Sequence, residues 1–433
     1  MAITELRIEG LRTIEKLRLK LSGLTVLIGE NGSGKSSIIE ACELLRRATG
    51  THFMNEFYSI HGGLQALLRH GAPRLKLGIT VRPGERSAPR YSLIEYDLIL
   101  EPDGSFARLH EQVRYKLHDT PARVKPRGRQ GAVRGSTSRG QRRATHSSEW
   151  VHADREDIIG EWDDDFGRSM RGSDVPLLSQ MPLFIRGTAN EGALQHIAST
   201  LDDIQVHLPF EVMPAWAARA LDRKTALRTS SPLTPAHRLE KLGLNLASAF
   251  HSLKNSYSEA DWQRTLGYIR LGLGEHIEDV ATVADPSGGS IGLALKFKSR
   301  DQQVPASQIS DGMLAYLAFV ALFRLRRGQP SLLAFDEPDL HMNPRLLMRV
   351  LDMFESMARD CPVLVATHSD RLLDGLSDPA RSVVLCELNE EQATHLYRPD
   401  PRALSKWLER YRGLGDLRGA GHEASVLTRR EPT

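Results

Sequence analysis

The residues Gly29 to Ser36 read GENGSGKS and satisfy the pattern G-x-x-x-x-G-K-[ST]. That spacing can hold a chain of phosphates. Gly32 and Gly34 let the backbone curl so that successive N–H groups, including those of Gly29, Glu30, Asn31 and Ser33, point inward at phosphate oxygens. Lys35 places a point charge on the terminal phosphates, and Ser36 offers a hydroxyl to Mg2+. Ser36 and Ser37 open a helical stretch, KSSIIEACELLRR, whose N-terminal dipole favours the same anion.

A second stretch, SLLAFDEPDLHMNP, runs from apolar residues straight into two carboxylates. Asp336 at such a strand tip can reach Mg2+, directly or through water, while Glu337 points elsewhere and can polarise an attacking water. Two adjacent acids would be costly in a plain core strand; a strand merely emerging into solvent is the bland alternative. PVLVATHSD puts His368 at another strand end. A lone histidine there is more often structural. In the order phosphate loop, acidic strand end, histidine, it reads as a contact to the γ-phosphate or the lytic water. Finally, QISDGMLAYLAFVALFRLRRG begins with Ser310, Asp311 and Gly312 and is then apolar almost all round. One capping residue would suffice, and glycine costs about 1 kcal/mol inside a helix. Gly312 is explained if a phosphate must approach the backbone closely there.

These groups need a scaffold, and the hydropathy pattern supplies one. ELRIEGL, LRLKLSG, RLKLGITV and YSLIEYDLIL alternate as half-buried strands do, and turn signals between them predict an antiparallel meander. LTVLIG, SLLAFD, PVLVAT and SVVLCE are short buried runs separated by helical stretches, which predicts a parallel sheet covered on both faces. Residues from Glu191 to Ala260 read as mainly helical, and the polar tail after Tyr397 reads as disordered from RGAGHEASVLTRREPT onward. Between Arg123 and Arg143 stand eight basic and no acidic residues, followed by the acidic SEWVHADREDIIGEWDDDF. A flexible, solvated insertion is the expectation. A basic arm for nucleic-acid phosphate is the sharper alternative, and a metal site in its acidic half the remotest.

The net charge of +3 and the 26% charged residues imply no polyanion partner from bulk charge alone. Three isolated cysteines argue against a disulfide framework or zinc site and fit a reducing cytoplasm. The charged N-terminus lacks the apolar region of a signal peptide, and no apolar run approaches a membrane span.

Taken together, GENGSGKS, ISDGM, LLAFDEP and ATHSD resemble the ABC-type ATPase superfamily. Within it, DEPDLHMNP and the opening LRIEGLRTIEKLRLKL are similar to the RecF/SMC-like, AAA-type ATP-binding proteins related to the OLD (overcoming lysogenisation defect) family. The resemblance implies an α/β P-loop NTPase fold: an ABC-ATPase head with a mixed, largely parallel sheet flanked by helices, an antiparallel β-subdomain and a helical subdomain. The resemblance covers about Met1–Gly50 and Leu239–Leu388 and covers the middle poorly; with the composition it divides the chain into an N-terminal ATPase lobe (1–118), a charged insertion (119–175), a mainly helical subdomain (176–290), a C-terminal ATPase lobe (291–400) and a tail (401–433). It also implies two ATP molecules sandwiched with Mg2+ in a homodimer. Lys35, Ser36, Asp336, Glu337 and His368 come from one chain, and Ser310 and Gly312 meet the γ-phosphate from the other. Gln180 is the candidate Q-loop ligand. Asn343 stands where transporter-type members usually carry aspartate. The implied role is a cytoplasmic ATPase switch in DNA repair or anti-phage defence, acting on nucleic acid or on a separately encoded nuclease or other effector. Only 65 residues follow His368, too few for the Toprim nuclease of OLD proteins. A transporter's nucleotide-binding subunit and a non-hydrolysing ATP-dependent scaffold are the alternatives.

Overall fold

The computed structural model describes residues 2–83, 91–117, 151–154, 176, 178–179, 191–212, 226–285, 288–325, 328–409 and 413–420. Gln180, most of the 119–175 insertion and residues 421–433 lie outside them.

Alternating strands build the first sheet. It is antiparallel, with β1 (Ala2–Leu11), β2 (Ile14–Lys20), β4 (Leu75–Arg82), β5 (Tyr91–Asp103), β6 (Phe106–Leu117) and β7 (Val151–Asp154) in the order β2-β1-β4-β5-β6-β7. On β2, Ile14, Leu17 and Leu19 are buried while Lys16, Arg18 and Lys20 face solvent, the period of two that a one-sided sheet requires. β7 lies within the stretch expected to be a flexible insertion and pairs with β6.

The second sheet joins β3 (Leu24–Gly29), β8 (Ile204–His207), β13 (Leu332–Asp336), β14 (Val363–Ala366), β15 (Val383–Leu388) and β16 (Thr394–Tyr397). Its order is β16-β15-β3-β14-β13-β8, parallel except for β16. Parallel neighbours end together, so the loops leaving β3, β14 and β13 emerge side by side. Those loops carry the phosphate-loop pattern, His368 and Glu337. A third sheet is made of β9 (Ser231–Pro232), β10 (Ile277–Ala284), β11 (Ser290–Phe297) and β12 (Val304–Pro305).

Helices cover the parallel sheet on both faces. Leu27, Leu332, Ala334, Leu364 and Ala366 point into one core with α1 (Lys35–Arg47), α2 (Phe53–His61), α3 (Glu191–Asp202) and the first sheet. The intervening Val26, Ile28, Leu333, Phe335 and Val365 point into the other. There they meet α4 (Leu246–Asn255), α5 (Glu259–Leu273), α6 (Asp311–Arg324) and α7 (Pro344–Met357). Helix α6 buries every residue from Leu314 to Phe323 because α4, α5 and α7 surround it. Phe319 of α6 stacks edge-on against Phe354 of α7 at 5.7 Å and lies 6.0 Å from Phe335 of β13, so the helix is pinned to the acidic strand. Truncating such an aromatic costs about 3–5 kcal/mol.

Two segments differ from the sequence reading. Strand β8 lies inside the stretch expected to be mainly helical. The polar tail holds α10 (Pro401–Leu408) and α11 (Leu414–Gly419), the latter ending on Arg418 and Gly419, the first residues of the stretch expected to be disordered; both follow the short helices α8 (Asp370–Asp374) and α9 (Pro379–Ser382). They fold because Leu404, Leu414 and Leu417 have core to enter. No described helix is long and apolar enough to cross a membrane.

Candidate functional site

The turn after β3 is built by two glycines in the left-handed region, Gly32 at φ 79° and Gly34 at φ 96°. A Cβ on Gly34 would also collide with the Thr394 hydroxyl, while Gly32 faces open space. Ser33, Lys35 and Ser37 are buried by the curl; Glu30, Asn31 and Ser36 are exposed along its outside. The Lys35 ammonium folds back and donates to the carbonyls of Gly29 (2.8 Å) and Glu30 (2.7 Å) and to Ser33 Oγ (3.4 Å). Burial lowers its pKa, so it gains from an added anion.

Helix α1 aims Ser36 at the next strand but one. Ser36 Oγ donates to Asp336 Oδ1 at 3.1 Å, joining residues 300 positions apart. Burial raises the Asp336 pKa and the Glu337 charge adds to it, against the pull of Ser36, Lys35 and His368. Glu337 itself takes φ 45°, a left-handed conformation unusual for a side-chain-bearing residue. Its carboxylate lies beside His368, whose Nε2 is 3.8 Å from Glu337 Oε1. Two further bonds tie the loops together: Glu337 N donates to Ala366 O (2.8 Å), and Thr367 Oγ1 donates to Asp339 Oδ1 (2.5 Å). Lys35, Ser36, Asp336, Glu337 and His368 are thus gathered at the ends of three adjacent strands. Asp339 and Thr367 are buttresses that sequence reasoning missed, although DEPD and ATHSD contain them.

At the start of α6, Ser310 is exposed and its side chain makes no capping bond. Asp311 is held instead by Arg228, which is almost fully buried. Arg228 also donates to the carbonyls of Val212 (2.7 Å), Ala306 (3.1 Å), Ser307 (3.1 Å) and Ile309 (2.7 Å), gripping the whole approach to the helix. Nothing in the sequence around Arg228 singles it out. Gly312 has a reason within its own chain: a Cβ there would stand 2.9 Å from the His341 carbonyl oxygen, in the loop that follows Glu337. This close backbone contact accounts for the glycine within one chain, alongside the expected approach of a phosphate. Asn343 is the N-cap of α7, accepting from Leu346 N at 3.0 Å with Pro344 behind it. Gln180 lies outside the described residues. The three cysteines are buried and form no disulfide, and burial pushes Cys42 and Cys386 up to about 12, which removes those two as nucleophiles.

Residues 1–84 match the family described as "AAA ATPase domain", and residues 226–374 match "AAA domain, putative AbiEii toxin, Type IV TA system". Among solved structures, an SMC head bound to the C-terminal winged-helix domain of ScpA superposes with a TM-score of 0.53 at 14% identity, over 94% of this chain and 100% of that one. A Pyrococcus furiosus SMC head with an extended coiled coil, bound to the C-terminal domain of ScpA, gives 0.50 at 13% identity, over 94% and 98%. At such identities the likeness establishes the fold, that of an SMC-type P-loop ATPase head, and the two family matches make residues 1–84 and 226–374 similar to AAA-type ATPase domains.

Proposed function

We propose that the chain is a Mg2+-dependent ATP hydrolase that dimerises around ATP and acts as a switch. The observation that carries this reading is the cluster of Lys35, Ser36, Asp336, Glu337 and His368 at three neighbouring strand ends. The donor set fits the metal, since a hydroxyl and a carboxylate oxygen 3.1 Å apart are hard ligands of the kind Mg2+ takes. When bound, Mg2+ would neutralise charge on the β- and γ-phosphates. Lys35 would exchange its two carbonyl partners for phosphate oxygens, and the loop N–H groups would hold the remaining charge. Glu337, turned toward His368, accepts a proton from water placed in line with the γ-phosphate; His368 orients that water or donates to the phosphate.

Ser310 and Gly312 lie at an exposed helix start on the same face as the His341 loop, and in this reading they complete the site of a second copy. The γ-phosphate would then be bound fully only between two heads, so hydrolysis would release them. The toxin named in the matched C-terminal family favours a place in defence, and the ScpA-bound heads favour a protein effector docked on the head. Glu337→Gln with ATP tests the dimer. Light scattering is expected to report twice the monomer mass, and a variant that stays monomeric would exclude the sandwich.

A further inference from the structure

The phosphate loop has a second cationic neighbour, and it comes from the far end of the chain. Helix α11 sits hard against α8, the helix that begins two residues after His368. A Cβ on Gly413 would stand 2.6 Å from the Asp374 Cα, and one on Gly415 would overlap the Asp370 carbonyl. Leu414 and Leu417 are buried beneath, and Asp416 N donates to Asp374 Oδ1 at 2.9 Å. So short a helix is fixed by these contacts, not by its own turns.

Seated this way, Arg418 meets Asp370 Oδ1 at 3.0 Å. It also lines a cavity of about 270 Å³ with Gly29, Glu30, Asn31, Ser33 and Glu387, on the β15 side of the phosphate loop. Two cations held beside one glycine-rich turn are an unfavourable arrangement that an anion relieves. The Asp370 carboxylate is about half exposed, so its pair with Arg418 is weak and cheap to exchange.

We propose that Arg418 is a second cationic ligand for the nucleotide's phosphates, supplied by the chain's own C-terminal segment. Its planar fork suits two oxygens of one phosphate as it suits a carboxylate. On turning from Asp370 to phosphate it frees the first residue of α8, which ties the state of the site to the helix following His368.

This rests on reading Gly29–Ser36 as an ATP site, and the test separates the two. Mg·ATP is titrated calorimetrically into the full chain and into Arg418→Ala, Arg418→Lys and Asp370→Asn. Arg418→Ala is expected to bind about tenfold or more weakly, and Arg418→Lys to lose less. Asp370→Asn breaks the same ion pair but keeps the cation, and is expected to bind as tightly as the unmutated chain or tighter. Unchanged binding by Arg418→Ala, or equal losses in Arg418→Ala and Asp370→Asn, would overturn the assignment and leave the ATP site standing. An unmutated chain that binds no ATP would overturn both.

Discussion

His207 is expected to make the head sensitive to acid, and the effect can be sized. It ends β8 with its ring stacked on Phe335, 5.4 Å away and within 18° of parallel, one residue before Asp336. Its two ring nitrogens are buried with no hydrogen-bond partner among the described residues. Burial, with the Lys241 charge adding and Glu43 opposing, lowers its pKa to about 4. In the unfolded chain the ring titrates near 6.5. Between those values the unfolded state binds more protons, so stability is complete above about pH 6.5 and drains away as pH falls toward about 4. Linkage gives a loss of about 2 kcal/mol at pH 5 and about 3 kcal/mol below pH 4. His207→Phe keeps the stack, removes both unpartnered nitrogens and cannot titrate. It should therefore be the more stable protein by about 1–3 kcal/mol at pH 8, with the gap widening by about 2 kcal/mol at pH 5. Urea unfolding of both proteins at the two pH values, with equal m-values, reads the difference. A gap that does not change with pH would refute the burial of a neutral imidazole beneath the acidic strand.

Arg228→Ala removes the grip on the approach to α6; because Asp311 is partly exposed and can rehydrate, the expected cost is about 2–4 kcal/mol. Hydrogen exchange should quicken at residues 306–314, and unchanged protection there would contradict the clamp. Gly34→Ala forces a side chain into φ 96° and against Thr394, and should cost about 1–3 kcal/mol as well as ATP affinity. An alanine variant that melts and binds as the parent would show that the loop is not held as described.

The chemistry was legible wherever it is contiguous. GENGSGKS and DEPD each place several reacting groups within one turn, and both were read with their flanking strands. Buried parallel strands were legible because they are apolar throughout, and α1 is found at the residues the pattern gave it. β8 was not, since four residues directly after a helix carry no period of their own and gain a sheet only by pairing with β13. Nor was the reason for Gly312: a glycine's spacing in sequence does not reveal that the His341 carbonyl, 29 positions on, packs against it. Arg228 and Arg418 were silent for the same reason, because each acts on segments brought near only by the finished fold. The helices of the polar tail gave no signal of their own, because its few leucines count for little until a surface exists to bury them.

The most direct test of the central claim is phosphate release from Mg·ATP by the purified chain and by Glu337→Gln. The parent is expected to turn over, and the variant to lose about 100-fold or more while still binding ATP. Equal rates in the two proteins, or no turnover by the parent under any condition in which it binds ATP, would contradict the assignment of Glu337 and the hydrolytic switch with it.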